Sequence, residues 1–542
     1  MRREQANSLI VQLLVVVAGF MLFSLLPERP AIRLFVNSDA LYMPSIYQDL
    51  FVHHSGLSVW HLNGAPNFFP EMLLFFSLMA VLKSTTLTVM VYGVAQMFLI
   101  LYLMDRFLHL ADVHISKITR YLVLLCFLLF PLSAVLDEGY LIPAQLLLAG
   151  YHAGFFFNSL LAAILALSYL KYGSRRILLI LGLLTFAAII SDKLFIMGFV
   201  APAILFSLLH LLQKGKKLRF LNLIALVGLT TLLALFTYRM LNFTAAIDMI
   251  STGTKMFRFE QIPEAMSNFL HHMKSVIIEY PTQRMLVFAT LLFILGAPVY
   301  LIIYLSSYLA RRMNPGMENS YALMVYLFLF VFLIIFTPII NGYYIGRSLI
   351  RYNYAGLVMG TTGFVYLLAV LLSKYTAPLW FKKYFTTVCS TGLIILLLVL
   401  GVKNQAWKGL RNYVNYYPED VRILDELKSE HGLTYGLGEY WQAKYSTMFS
   451  RNHLRLYSVS DGSFQPSYHV TNENWFHDGG KGSHANPTFN FLETSAFSDT
   501  EKLKKLFGEH IDTIYNQKDL LVIKVPDFKI ERESREIYLL DP

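Results

Sequence analysis

Two cysteines in 542 residues, Cys126 and Cys389, both inside apolar runs, leave no disulfide framework. They read as packing residues and assign no compartment. Charge is also scarce: 15% of the residues are Asp, Glu, Lys or Arg, against 56% hydrophobic, at a mean hydropathy of +0.51. A soluble globular domain has no use for that much apolar surface, so this class is excluded. There is no low-complexity tract, no Gly-x4-Gly-Lys-Ser/Thr phosphate loop and no Gly-x-Gly-x-x-Gly fingerprint. Energy coupling by ATP within the chain is not expected. Tryptophan is rare, with 5 residues, but Phe and Tyr number 42 and 33, which suits helices in lipid with aromatic anchors at their ends.

What is present is a succession of apolar runs of about the 20 residues that cross a bilayer as a helix. The first, Ser8 to Leu26, follows Met1-Arg2-Arg3 and reads as a retained helix, because Pro27-Glu28-Arg29-Pro30 follows it in place of a small-x-small cleavage site. Further runs lie near 86–104, 120–136, 153–171, 176–191, 194–212, 220–241, 285–308, 321–341, 354–373 and 385–402. Asn67 to Leu82 is apolar but short and contains Glu71, so a re-entrant or interfacial helix is expected there.

The net charge of +10 belongs to this pattern and gives no sign of nucleic acid, since no basic helix is interleaved with aromatics. Alternate loops carry the Lys and Arg. One side receives Arg2 and Arg3, then Arg106 to Arg120, Lys171 to Arg176, Lys214 to Arg219, Arg311 and Arg312, and Lys374 to Lys383. The positive-inside rule places these loops and the N-terminus in the cytoplasm. The opposite face then holds the long segment 28–85, the loop opening Asp137-Glu138, residues 242–284, the short loop 342–353 and everything after Lys403. The expected architecture is a polytopic α-helical membrane protein of about eleven transmembrane helices over 1–402, with an extracytoplasmic C-terminal α/β domain over 403–542. Strand-like runs at Leu433–Leu437, Leu454–Val459 and Leu520–Val525 and a helical pattern at Thr500–Phe507 support that domain.

The chemistry is sought in the first external loop, at Asn37-Ser38-Asp39-Ala40-Leu41-Tyr42 and on to Asp49. A carboxylate beside apolar surface is partly desolvated and becomes a stronger base, which makes Asp39 the first catalytic candidate. The competing reading is that Asp39 caps a helix starting at Ala40. A second stretch, Gly346-Arg347-Ser348-Leu349-Ile350-Arg351-Tyr352, puts guanidinium groups at the membrane face, where their paired donors suit a lipid-linked phosphate. Arg351 is the first choice and Arg347 the second, against plain headgroup snorkelling. His152 is costly to bury without a partner, and bonding to a neighbouring helix is its ordinary role. Asp192-Lys193 reads most simply as a self-neutralising interfacial pair, with phosphate contact by Lys193 the sharper alternative. His53, His54 and His61 lack zinc-ligand spacing. In Gly438-Glu439-Tyr440-Trp441, the aromatic rings are able to face a sugar, with core packing as the default.

Asp-x-x-Tyr in a long first external loop, the Arg-Tyr element of a late short loop and a water-facing tail together resemble the GT-C superfamily of membrane glycosyltransferases, in the layout of the protein O-mannosyltransferase and aminoarabinose-transferase branch. The resemblance implies a polyprenyl-phosphate sugar donor, an extracytoplasmic lipid, glycan or protein acceptor, and an acidic first-loop residue that deprotonates or orients the acceptor. It carries Asp39 into that role, Arg351, Arg347 and Tyr352 toward the phosphate, and Tyr42, His152 and Lys193 into the same cavity. The adjacent Asp-Glu often seen in the family is Asp39-Ala40 here, so Asp49 enters as second carboxylate only by proximity. Some members use a divalent metal ion, for which Asp39 and Asp49 are the available ligands. A flippase of a lipid-linked saccharide and a polysaccharide polymerase or ligase stand as alternatives. The absence of a convincing internal repeat and the clustering of polar candidates at one face favour an enzyme.

Overall fold

The computed structural model describes residues 2–542 apart from 112–116, 137–140, 212–216, 245–246, 250–257, 310–314, 347–348, 373–378, 461–464, 478–486, 494–499, 509, 518–519, 532–536 and 540–542. Every expected apolar run is helical. Among the described residues, seven helices are long and apolar enough to cross a membrane: Leu9–Glu28, Thr85–Ala111, Ala153–Tyr172, Lys217–Phe243, Gln283–Ser306, Ser320–Ile340 and Ile350–Leu372. An eighth span results if Thr387–Lys403 and Ala406–His431, bent by 64° at their junction, are taken together.

The expected eleven is therefore reached as helices but not as full-length spans. Lys117–Leu136 qualifies only over a shorter apolar stretch, Arg175–Ser191 has 17 residues, and the 194–212 run begins as the π-helical turn Ile196–Val200 before the helix Ala201–Leu211. The short segment expected at the interface is the helical stretch Phe68–Leu82. Leu232 on Lys217–Phe243 and Ile302 on Gln283–Leu309 are 67% and 68% exposed. Isolated chains do not leave such side chains in water, so these faces belong in lipid.

The helix Ile350–Leu372 lies in the interior, packed against Gln283–Leu309 and Pro315–Ile340. Small residues permit the approach: a Cβ added at Gly356 would fall 2.7 Å from Ile335 Cγ1, and one at Gly360 would fall 2.5 Å from Thr290 Cγ2. This close seat fixes the first turn of the helix, where Arg351 sits. At the opposite end of the bundle, Arg120 pairs through Nε and Nη2 with both carboxylate oxygens of buried Asp105, the second contact at 2.6 Å. The pairing neutralises the carboxylate that the span Thr85–Ala111 buries.

One strand pairing among the described residues ties the long loop to the membrane body. β1 (His61–Leu62) runs parallel to β2 (Asp248–Met249), and His61 Nδ1 lies 2.5 Å from Asp248 Oδ2. The C-terminal part is a mixed sheet of β3 (Tyr435–Gly438), β4 (Arg455–Ser458), β5 (Phe489–Glu493), β6 (Asp512–Gln517) and β7 (Leu520–Ile530), in the order β4-β3-β5-β7-β6, with β8 (Ile537–Leu539) paired to β7. β3 is parallel to both neighbours, while β5, β6 and β8 pair antiparallel with β7. The strands expected near 433, 454 and 520 and the helix Thr500–Phe507 are all present. The helix Glu419–His431 buries Val421, Leu424 and Leu427, carries Glu419 and Asp420 in its first turn and Lys428 in its last, and ends at Gly432 in the left-handed region.

Candidate functional site

The first loop folds as two short helices, Ile32–Val36 and Tyr42–Tyr47, joined by the turn that carries Asp39. Asn37 makes this turn. Its Oδ1 accepts from Ala40 N at 2.8 Å and from the Tyr151 hydroxyl at 3.1 Å, and its carbonyl accepts from Leu41 N. The helix at Tyr42 has no side-chain cap, so Asp39 is not spent as one. The capping alternative is thereby removed, and the carboxylate projects from a turn held by its neighbour.

Asp39 meets groups from two distant parts of the chain. Tyr440 donates its hydroxyl to Oδ1 at 2.6 Å, and Arg351 Nη1 stands 3.4 Å from Oδ2. Both side chains of the ion pair keep partial exposure, 22% for Asp39 and 26% for Arg351. Among the described residues the buried Nε of Arg351 has no acceptor, although the guanidinium hydrogen-bonds the Tyr352 side chain. Tyr440 opens the helix Tyr440–Phe449, and one turn later Lys444 is on the same face, its Nζ 3.4 Å from the Ser38 carbonyl and 4.9 Å from the Tyr440 ring centroid. Ser38 Oγ donates in turn to the Tyr440 carbonyl. Burial lowers Lys444 to about 7, although Asp39 pulls it upward, and burial with the Asp39 charge holds the Tyr440 phenol protonated far above its ordinary range. His469 lies beside them, its ring 5.2 Å from that of Tyr440.

A second line of contacts leads inward from Arg351. Its guanidinium is 5.4 Å from the Tyr352 ring, Tyr352 lies 4.9 Å from the His152 ring, and His152 Nδ1 is 2.7 Å from Asp192 Oδ2. Both members of that last pair are buried. His152 is therefore the helix-bonded histidine of its ordinary role, with Tyr352 over its face. Asp192 is held by His152 and by Leu194 N, which corrects the expected Asp192–Lys193 self-neutralising pair. Lys193 Nζ lies over the Tyr238 ring, 3.5 Å from its centroid.

Asp49 and Tyr42 are not brought to Asp39. Asp49 Oδ2 accepts from Asn472 Nδ2 at 2.6 Å and from the Trp475 indole at 3.0 Å, and burial raises its carboxyl to about 6. With Lys444 it lines a cavity of about 20 Å³, and it joins the first loop to the C-terminal domain. Tyr42 is buried, with its hydroxyl donating to the Pro66 carbonyl at 3.4 Å and its ring edge-on to Trp60, inside the loop's own core. Arg347 lies outside the described residues, as do Asp137 and Glu138.

A divalent ion shared by Asp39 and Asp49 does not fit these surroundings. The Asp49 carboxylate is engaged by two N–H donors, and a guanidinium already stands on Asp39. Among the described residues, no three His, Cys, Asp or Glu side chains converge as metal ligands, and His61 is paired with Asp248.

Compared with known proteins, the chain matches no protein-family model and no curated protein. The arrangement around Asp39 therefore rests on its own geometry. Tyr440 was visible in the sequence as one aromatic of a Tyr-Trp pair, and Lys444 was not singled out. The signal that would have found Lys444 is the i,i+4 spacing from Tyr440, which puts a lysine on the buried face of a short helix. His469 has no local signal at all.

Proposed function

We propose that this chain is a membrane glycosyltransferase that moves a sugar from a polyprenyl-phosphate carrier to an acceptor at the outer membrane face. One observation carries the proposal: a partly exposed carboxylate, Asp39, is held between the guanidinium of Arg351 and the hydroxyl of Tyr440 where the first loop, a late span and the C-terminal domain meet. The resemblance to GT-C enzymes and the loop charges support the same reading, with eleven crossings, a cytoplasmic N-terminus and the site on the external face.

In the proposed reaction, the donor phosphate takes the Arg351 guanidinium, whose Nε has no acceptor among the described residues and whose contact with Asp39 is long. The carboxylate oxygen thereby released accepts the proton of an acceptor hydroxyl. That hydroxyl oxygen attacks the anomeric carbon, the bond from carbon to phosphate oxygen breaks, and polyprenyl phosphate departs with the electron pair. Tyr440 holds the other carboxylate oxygen and orients the base. Lys444 braces the Ser38 carbonyl behind the turn, so the C-terminal domain acts as part of the site. No ATP is needed, since the phosphate leaving group is supplied by the carrier.

The test is cleavage of a polyprenyl-phosphate sugar by the purified full chain in lipid nanodiscs, with water as stand-in acceptor. Release of polyprenyl phosphate that Arg351→Ala abolishes supports the proposal. Intact donor after incubation, together with donor movement across the bilayer of sealed vesicles, would support a flippase in its place.

A further inference from the structure

Beside the turn that carries Asp39 lies a cleft of about 530 Å³, between the stretch Pro30–Asn37 and the C-terminal domain. Its volume falls within the roughly 300–1,000 Å³ of small-molecule sites. Asn37 and Trp441, the chain neighbours of Ser38 and Tyr440, form part of its wall, so it adjoins the proposed reaction centre without including it.

The lining has an uneven chemistry. Among the described residues, two buried oxygens of its lining have no hydrogen-bond partner, Glu493 Oε2 and Gln442 Oε1, and burial pushes the Glu493 carboxyl, which the Glu439 backbone N–H partners, up to about 7. Glu493 is 1% exposed, at the end of β5, and its carboxylate occupies the space left by Gly438, where a Cβ would stand 2.8 Å from Oε2. A buried carboxylate oxygen without a donor is costly, and a fold that keeps one in the wall of a cleft has a place for a ligand that donates. Glu419 and Asp420 line the same cleft, with Arg33 as its cation. Asp420 already accepts from Val421 N and the Tyr445 hydroxyl. The Trp441 side chain is 53% exposed, presenting a flat apolar ring beside these acceptors.

Acceptor oxygens that seek hydroxyl donors, set beside an exposed indole face, are the complement of a pyranose ring, which has hydroxyls at its rim and C–H groups on its faces. Glu419 and Asp420 along the wall repel a ligand that is itself acidic. We infer that this cleft is a binding subsite for an uncharged pyranose unit, with Trp441 stacked on the sugar face and Glu493 and Gln442 accepting from its hydroxyls. That this sugar is the acceptor rests on the glycosyltransferase reading, whereas the binding itself does not.

The experiment is saturation-transfer NMR on the detergent-solubilised full chain with the methyl glycosides of glucose, galactose, mannose and N-acetylglucosamine, and with methyl glucuronide. At least one neutral glycoside is expected to bind, with glucuronide weaker. Trp441→Ala, at an exposed position, and the isosteric Glu493→Gln should each weaken binding by about tenfold or more. Asp39→Asn and Arg351→Ala should bind the sugar like the unmodified chain. If donor cleavage fails while sugar binding follows this pattern, the reaction proposal alone falls. If no neutral glycoside binds, or if both Trp441→Ala and Glu493→Gln bind with unchanged affinity, the subsite is overturned whatever the outcome of the cleavage assay.

Discussion

Tyr440 donates its hydroxyl to Asp39 Oδ1 at 2.6 Å across 401 residues of sequence. A carboxylate in the first loop is thus oriented by a side chain of the C-terminal domain, and that contact sets the first prediction. Tyr440→Phe keeps the ring packing and removes the donor. A charge-assisted hydrogen bond of about 1.4 kcal/mol corresponds to a tenfold rate change, so donor cleavage should slow by about tenfold or more, with donor KM little altered. The assay is steady-state cleavage with the KM and kcat effects separated.

Arg351 tests the other side of the carboxylate. Arg351→Lys retains the charge but loses the fork that grips two phosphate oxygens, so donor KM should rise by about tenfold and Arg351→Ala should cost more. Equal KM for all three proteins would assign Arg351 to holding the loop.

Lys444 gives a pH dependence of stability. The folded chain holds this lysine near 7, whereas the unfolded chain holds it at the ordinary 10.5. Between those values the unfolded state binds more protons, so this group's contribution to stability rises with pH across that window, and its full cost is present below about 7. Lys444→Met removes the buried charge. Thermal unfolding in detergent should show a raised midpoint at or below neutral pH and a flatter rise toward alkaline pH than in the unmodified chain.

The membrane body supplies a control far from the site. Arg120→Met leaves the Asp105 carboxylate buried without its bidentate partner, which should destabilise by about 3 kcal/mol or more. The double substitution Asp105→Leu with Arg120→Met should recover much of that loss. Unfolding in mild detergent measures both.

Much of this architecture is legible in the sequence because hydropathy is a local property. Each apolar run became a helix, and the run at 194–212 opens as the π-helical turn Ile196–Val200. The strands near 433, 454 and 520 were visible for the same reason. The pairing of Asp39 with Arg351 was not, because it spans 312 residues and depends on the close seat of Gly356 and Gly360. Asp49 is nearer to Asp39 in sequence than Arg351, Tyr440 or Lys444, yet the loop turns it toward Asn472 and Trp475. Nearness along the chain was the wrong guide there. The donors that hold Asp49 come from a stretch that no local pattern marks.

Orientation has its own measurement. In a chain carrying Cys126→Ser and Cys389→Ser, a single cysteine at Glu430, 70% exposed at its side chain, should react with a membrane-impermeant maleimide in intact cells. Labelling only after the membrane is opened would reverse the topology and move the site to the cytoplasmic face.

The central claim is that Asp39 removes the acceptor proton while Arg351 holds the donor phosphate. Single-turnover cleavage of a bound polyprenyl-phosphate sugar by Asp39→Asn, alongside donor binding by the same protein, tests it most directly. The expected rate is lower by about a hundredfold or more, with donor binding retained, because a positioned general base contributes about that much. An Asp39→Asn protein that folds, binds donor and cleaves it at the unmodified rate would contradict it.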